Sequence, residues 1–225
     1  MTRVHDMGGR FGDGPVVPDP EDAPVFAEDW HARALAVTLA CGSLGKWNID
    51  VSRHARECLS PADYARFTYY EKWLAALADL LVKTGVLSEA DLSGADASEL
   101  HELAAKALRA DAVAGVLASG GPADRPSPIE PRFAAGQAVR TLHPAANRLV
   151  GGGHTRLPIY AQGAQGYILR LHGTHVLPDS NAHGLGEAPE PLYAVVFHAD
   201  QLWAAPEHPD DEVVLDLWQS YLEPV

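Results

Sequence analysis

The sequence predicts an α+β protein in which an extended N-terminal arm and a helical domain precede a small antiparallel β-barrel. Three observations carry this prediction. Glycine and proline crowd residues 1–24, and apolar residues recur at helical spacing from residue 25 to about residue 117. After a Gly- and Pro-rich linker at 118–131, the apolar period shortens to that of strands through 132–225.

In the arm, Gly8, Gly9, Gly12, Gly14, Pro15, Pro18, Pro20 and Pro24 deny the backbone regular structure. Val4, Met7, Phe11, Val16 and Val17 are interspersed among them, apolar groups that a solvated tail does not need. The arm is therefore expected to lie on another surface, with a frayed terminus as the alternative.

In the helical domain, Trp30, Ala34, Val37 and Cys41 share a face, and Gly42 and Gly45 end the run. Asp50 is placed to cap a short helix through Ser52, Arg53 and Arg56, and Ser60 directly before Pro61 caps the next. The clearest helix covers about residues 62–84. Tyr70, Trp73, Leu74, Leu77, Leu80 and Leu81 form its apolar stripe, and Gly85 stands where a C-terminal cap belongs. Ser88 with Asp91 starts a further piece. Ser98 before Glu99 starts another, running through Leu100, Leu103, Ala107 and Leu108 to Val116.

Beyond the linker, residues 138–142, 166–171, 192–197 and 212–217 are short β-type runs separated by Gly, Pro, Asn and Asp. Four or five short strands in a stretch of about 90 residues are the basis for the barrel.

A chain of 225 residues can bury one sizeable core, or a core plus a smaller module. The net charge of −13, from 30 acidic against 17 basic residues, offers no basic face to a phosphate backbone, so no nucleic-acid partner is expected. Charge interrupts every apolar stretch before the roughly 18 residues of a membrane span, and the N-terminus lacks the apolar core of a signal peptide. A cytoplasmic protein with no membrane partner is expected. Cys41 and Cys58 form no CxxC and are expected to be small buried apolar side chains.

The candidate chemistry is sparse. Among the eleven histidines, His172 and His175 are the closest metal-like pair, but residues three apart on a strand point to opposite faces, which favours structural or surface roles. Gly151, Gly152 and Gly153 lack the GK[ST] ending of a phosphate loop and read as a tight turn. There is no GxSxG, and Glu187 and Glu190 are separated by prolines in a loop. A self-contained enzyme is not expected.

Two arginines invite another role, because a guanidinium offers a planar fork of donors to an anion held by another chain. Arg53 lies near the start of a short helix and Arg156 in a polar, glycine-flanked segment. The alternatives are a helical ion pair of Arg53 with Glu57, and a solvated loop charge for Arg156.

HDMGG followed by FGDGPV, then FAEDW, SRHARE, YYEKW, GHTRLPIY, VLPDSNAHGLGEAPEPLY, ADQLW and LWQSYLEP occur in an order that resembles the beta subunit of nitrile hydratase nearly end to end. The resemblance implies an SH3-like barrel and an arm wrapping an alpha subunit. It also implies an alpha–beta heterodimer doubled to a heterotetramer, active as a hydro-lyase on small nitriles. Cobalt (non-corrin) or iron (non-haem) would be bound by a claw of oxidised cysteines on the alpha subunit, since no CxxCSC claw occurs here.

By motif position, Arg53 and Arg156 match the family's arginines that hydrogen-bond the oxidised cysteine oxygens. Tyr69 and Trp73 match its substrate pocket, although for Trp73 plain core packing is an equal reading. His154 is expected to steady the Arg156 loop. Thr38, Ile49 and Ser52 stand where the pocket wall is often bulky and apolar, and Lys72 where histidine is common, so a roomier or more polar pocket is implied. Two other readings are a beta-like subunit of a thiocyanate hydrolase-type enzyme and a noncatalytic accessory or activator that binds the alpha subunit.

Overall fold

A computed structural model of the chain describes residues 4–6, 17–94 and 102–225. Most of the arm and the Ser98–Glu99 helix start fall outside them. The described residues divide into a helical unit ending at Gly121 and a sheet unit from Pro122, which also takes in Asp6. Among the described residues no helix is long and apolar enough to cross a membrane.

In the helical unit, α1 runs Asp29–Gly42, α2 Ile49–Glu57, α3 Pro61–Arg66, α4 Tyr69–Lys83, α5 Glu89–Leu92 and α6 Ala110–Ser119. Ser60 caps α3 and Ser88 caps α5 through a box with Asp91, as expected. Gly85 follows α4 with φ +69°, a conformation glycine adopts without steric cost.

Three expectations are corrected. The cap of α2 is Asn48, whose carboxamide oxygen accepts from the Asp50 and Val51 amides, while Asp50 is buried in the first turn. The single helix expected over 62–84 is two helices, because Thr68 and Glu71 form a capping box that starts α4 while Phe67 is extended. The piece expected to run to Val116 is a 3-10 turn, Glu102–Lys106, followed by the separate α6. Leu77 and Leu81 of α4 pack with Val86 and Leu103 in the core of this unit.

In the sheet unit, β1 (Ala138–Thr141), β2 (Gln165–His175), β3 (Glu190–His198), β4 (Glu212–Trp218) and β5 (Leu222–Pro224) form one antiparallel sheet of order β4-β3-β2-β1-β5. Where a small antiparallel barrel is expected, the described strands form an antiparallel sheet that is not closed, with β4 and β5 at its edges. Two register shifts bend β2 against β3. At Gly166 a side chain would meet the Val196 carbonyl oxygen at 2.5 Å, so only glycine permits the strands to approach this closely.

β3 is buried along nearly its whole length, and Tyr193, Val195 and Phe197 centre a core with Val139, Leu157, Ile168 and Leu217. Part of the predicted linker docks on this sheet. Arg125 forms a two-point ion pair with Glu187 at 2.9 and 3.1 Å, and the Ser127 hydroxyl donates to the Pro189 carbonyl.

Candidate functional site

The helical unit places Ile49, Ser52 and Arg53 on α2, which packs on α4, the helix carrying Tyr69 and Trp73. Asp50 and Arg53 lie one turn apart, and the Arg53 Nη1 donates to the buried Asp50 Oδ1 at 3.0 Å. The Arg53 side chain is 42% exposed, so donors beyond Nη1 can reach an outside acceptor. In place of the alternative ion pair of Arg53 with Glu57 the structure has this one, and Glu57 meets His54 at 3.2 Å. Thr38, on α1, turns its hydroxyl back to the Ala34 carbonyl at 2.8 Å.

Tyr69 and Trp73 stand one turn apart on α4, with ring centroids 5.4 Å apart. The Arg56 guanidinium lies 4.8 Å from the centre of the Trp73 ring, with its Nη1 3.4 Å from the Ser52 hydroxyl. Burial pulls the Arg56 guanidinium below its ordinary value. Tyr70 gathers Phe26, Trp30 and His31 at 6.1, 6.4 and 4.8 Å. Trp73 is partly buried, whereas Tyr69 and Ile49 are exposed, so α2 and α4 present an apolar, aromatic surface. Lys72 lies over the Tyr64 ring at 4.3 Å.

The sheet unit holds Arg156 and His154. The loop from Asn147 to Pro158 is braced from within. The Asn147 side chain accepts from the Leu149 and Val150 amides at 2.7 and 2.9 Å and donates to the His154 and Asp179 carbonyls at 2.6 and 2.9 Å. The His154 amide donates to His183 Nε2 at 3.0 Å, and His154 is buried. The expected glycine turn is present, with the Gly153 amide donating to the Val150 carbonyl at 2.9 Å.

The Arg156 amide donates to the Tyr221 hydroxyl at 3.2 Å, and that hydroxyl donates in turn to a carboxylate oxygen of Asp179. Burial pushes the Asp179 carboxyl up despite the hydroxyls of Tyr221 and Thr155 beside it, and it pushes Tyr221 well above its ordinary value. The Arg156 backbone is thus fixed while Arg156 itself is exposed. Next to it, the Asp6 carboxylate accepts from the Ile159 amide at 3.0 and 3.1 Å, which ties one described residue of the arm to this segment.

The other candidates have structural places. His172 pairs with Asp216 at 2.8 Å, and the His175 carbonyl accepts from the Trp218 indole. Glu190 is buried and accepts from the Ser220 amide. Cys41 is half-buried and Cys58 is exposed, correcting the expectation of a buried pair.

Sequence reasoning did not assign a role to Asp50, Arg56, Asp179 or Tyr221 around these arginines. For Asp50 the signal was present in its i, i+3 spacing to Arg53; for Asp179 and Tyr221 only the folded chain brings the partners together.

A helical unit joined to a bent antiparallel sheet unit, with an arginine on a braced segment of each, defines a two-part α+β protein. Its two parts match two family descriptions in turn: "Nitrile hydratase beta subunit, N-terminal" over residues 1–118 and "Nitrile hydratase beta subunit, C-terminal" over residues 122–224.

The chain is 34% identical to the low-molecular weight cobalt-containing nitrile hydratase subunit beta of Rhodococcus rhodochrous, and 36% identical to the nitrile hydratase subunit beta of Pseudomonas putida. Both matches cover 100% of both chains. It is 33% identical to the cobalt-containing nitrile hydratase subunit beta of Pseudonocardia thermophila, over 99% of this chain and 96% of that one. A thiocyanate hydrolase apo-enzyme structure from Thiobacillus thioparus overlaps 43% of this chain and 78% of that chain, at 26% identity and a TM-score of 0.38. The chain belongs to the nitrile hydratase beta-subunit family.

Proposed function

We propose that this chain completes the active site of a claw-bearing alpha subunit, in an enzyme that adds water across the C≡N bond of a nitrile to give an amide. The observation that carries the reading is the end-to-end match of both halves of the chain to the family. In this reading Arg53 and Arg156 direct their free donors at the oxidised cysteine oxygens of the alpha subunit. Each charge-assisted contact is worth roughly 1.5–3 kcal/mol. Asp50 positions the first arginine and the Asn147–Tyr221 network positions the second. Tyr69, Trp73, Ile49, Ser52 and Thr38 form this chain's share of the pocket wall, and His154 supports the Arg156 loop.

Cobalt or iron belongs to the alpha subunit in this proposal. Cys41 is partly buried on α1 and Cys58 follows α2, both are free thiols, and neither stands in a claw sequence, so this chain's own cysteines do not fit the group. The proposed enzyme is a cytoplasmic hydro-lyase, an alpha–beta pair doubled to a heterotetramer, in which the arm (1–24) wraps the partner. The proposed division continues with a helical domain (25–117), a linker (118–131) and an SH3-like domain (132–225). The pairing of the short β5 with β1 after the 3-10 turn Gln219–Tyr221 supports the SH3-like reading.

Co-expression with a claw-bearing alpha chain, followed by metal analysis and amide detection, tests the proposal. Arg53→Lys and Arg156→Lys are expected to lower amide formation sharply while the complex still assembles, because lysine keeps the charge and loses the planar fork. Unchanged turnover in both variants removes the arginines from the site.

A further inference from the structure

Cys58 has no part in the function proposed above. It is exposed at the C-cap of α2, and its Sγ lies 3.5 Å from Nε2 of His54, one turn back on the same face. The other nitrogen of that ring, Nδ1, lies 3.2 Å from Glu57 Oε2. The His54 and Glu57 side chains are only 20% and 19% exposed, so the ring is held between sulfur and carboxylate while the sulfur faces outward. A nucleophile, a base in contact with it, and an acid that orients the base are the three parts of an activated thiol. The other cysteine makes the contrast: Cys41 is partly buried, and burial pushes its thiol up.

We propose that Cys58 is a covalent modification site of this chain, a thiol activated by His54 and reactive towards small disulfides, with Glu57 as the positioning residue of the imidazole. The imidazolium Nε2–H of His54 faces the sulfur at 3.5 Å, and the thiolate forms when the thiol gives its proton to solvent. The thiolate attacks one sulfur of R–S–S–R, a Cys58–S–S–R bond forms, and the original S–S bond breaks. The departing R–S⁻ takes up a proton from solvent, matching the one the thiol released. Cys58 is thereby oxidised to a mixed disulfide and one half of the small disulfide is reduced to a thiol. A helix C-terminus disfavours an anion, so activation depends on the imidazolium rather than on the helix. The elevated pKa of His54, about 9, agrees with a cationic ring beside the sulfur.

The test uses the reduced full chain and oxidised glutathione, with the adduct located by peptide mass mapping. Cys58 is expected to react about tenfold or more faster than Cys41, and His54→Gln is expected to slow Cys58 about tenfold. Glu57→Gln, read by ring-nitrogen chemical shifts, should lower the protonation of His54 and slow the same adduct, a combination that a purely structural Glu57 does not produce. Modification of Cys41 first, or a Cys58 rate equal to that of a short cysteine peptide, overturns the proposal. So does a Cys58 rate unchanged in both His54→Gln and Glu57→Gln.

Discussion

A buried carboxylate governs the geometry of Arg53. Asp50 is 3% exposed and accepts from Arg53 Nη1, so the guanidinium is aimed from below by a charge that water does not compete for. Asp50→Asn keeps the shape of the side chain and removes that charge. Amide formation by the complex is expected to fall about tenfold, with the midpoint of thermal unfolding shifted by only a few degrees. Equal losses of stability and turnover would mark Asp50 as a packing residue.

On the same helix, His54 is pushed up to about 9 from its ordinary 6.5, chiefly by the Cys58 sulfur and then by Glu57, against the opposing effect of burial. The folded chain therefore keeps a proton that the unfolded chain releases. The resulting stabilisation is complete below pH 6.5 and is lost as pH rises through 9. Discounted for the solvent that still reaches this partly buried ring, it amounts to about 1 kcal/mol. NMR titration should find His54 midway near pH 9, and urea midpoints should decline from pH 6.5 to 9 in the wild type but not in His54→Gln. A His54 midpoint at its ordinary value would contradict this.

At the scale of elements, the loop before Arg156 is the segment least tolerant of added volume. A side chain at Gly153 would meet His183 Nε2 at 2.6 Å, Asn147 Nδ2 at 2.9 Å and Val150 Cβ at 3.0 Å. Two of these atoms belong to the polar groups that brace the loop. Gly153→Ala is therefore expected to cost about 1–3 kcal/mol in chemical denaturation and to lower amide formation with it. Unaltered stability would show that the brace yields freely.

Elements whose causes are local were legible in the sequence. The caps of α3 and α5 depend on residues within one turn, and so does the stop at Gly85. The break between α3 and α4 was also written locally, in Thr68 and Glu71, but an uninterrupted apolar stripe masks a capping box. Asn48 and Asp50 both suit a helix start, and only tertiary burial decides that Asp50 pairs with Arg53 while Asn48 caps. Arg53 and Arg156 were visible as residue types in their segments. Their supports were not equally visible, because Asp179 and Tyr221 are remote from one another in the chain and become neighbours only through folding.

For the whole molecule, the exposed apolar side chains of the helical unit are the feature that a solitary protein explains least well. Val25, Ile49 and Tyr69 are 90%, 61% and 64% exposed, and Tyr69 and Ile49 lie on the helices that carry the candidate site. Covering such groups is the ordinary way for one chain of an assembly to gain stability. A claw-bearing alpha chain at 100 times its dissociation constant should therefore stabilise this chain by about 2.7 kcal/mol. For a protein of this size that raises the midpoint of thermal unfolding by about 5–10 °C. Arg53→Lys and Arg156→Lys should keep most of this increase while losing turnover, because in the proposed site the arginines act on the oxidised cysteines rather than on the apolar contact. A midpoint that does not move when the alpha chain is added would leave the exposed surface without its proposed partner, whatever the arginine variants do.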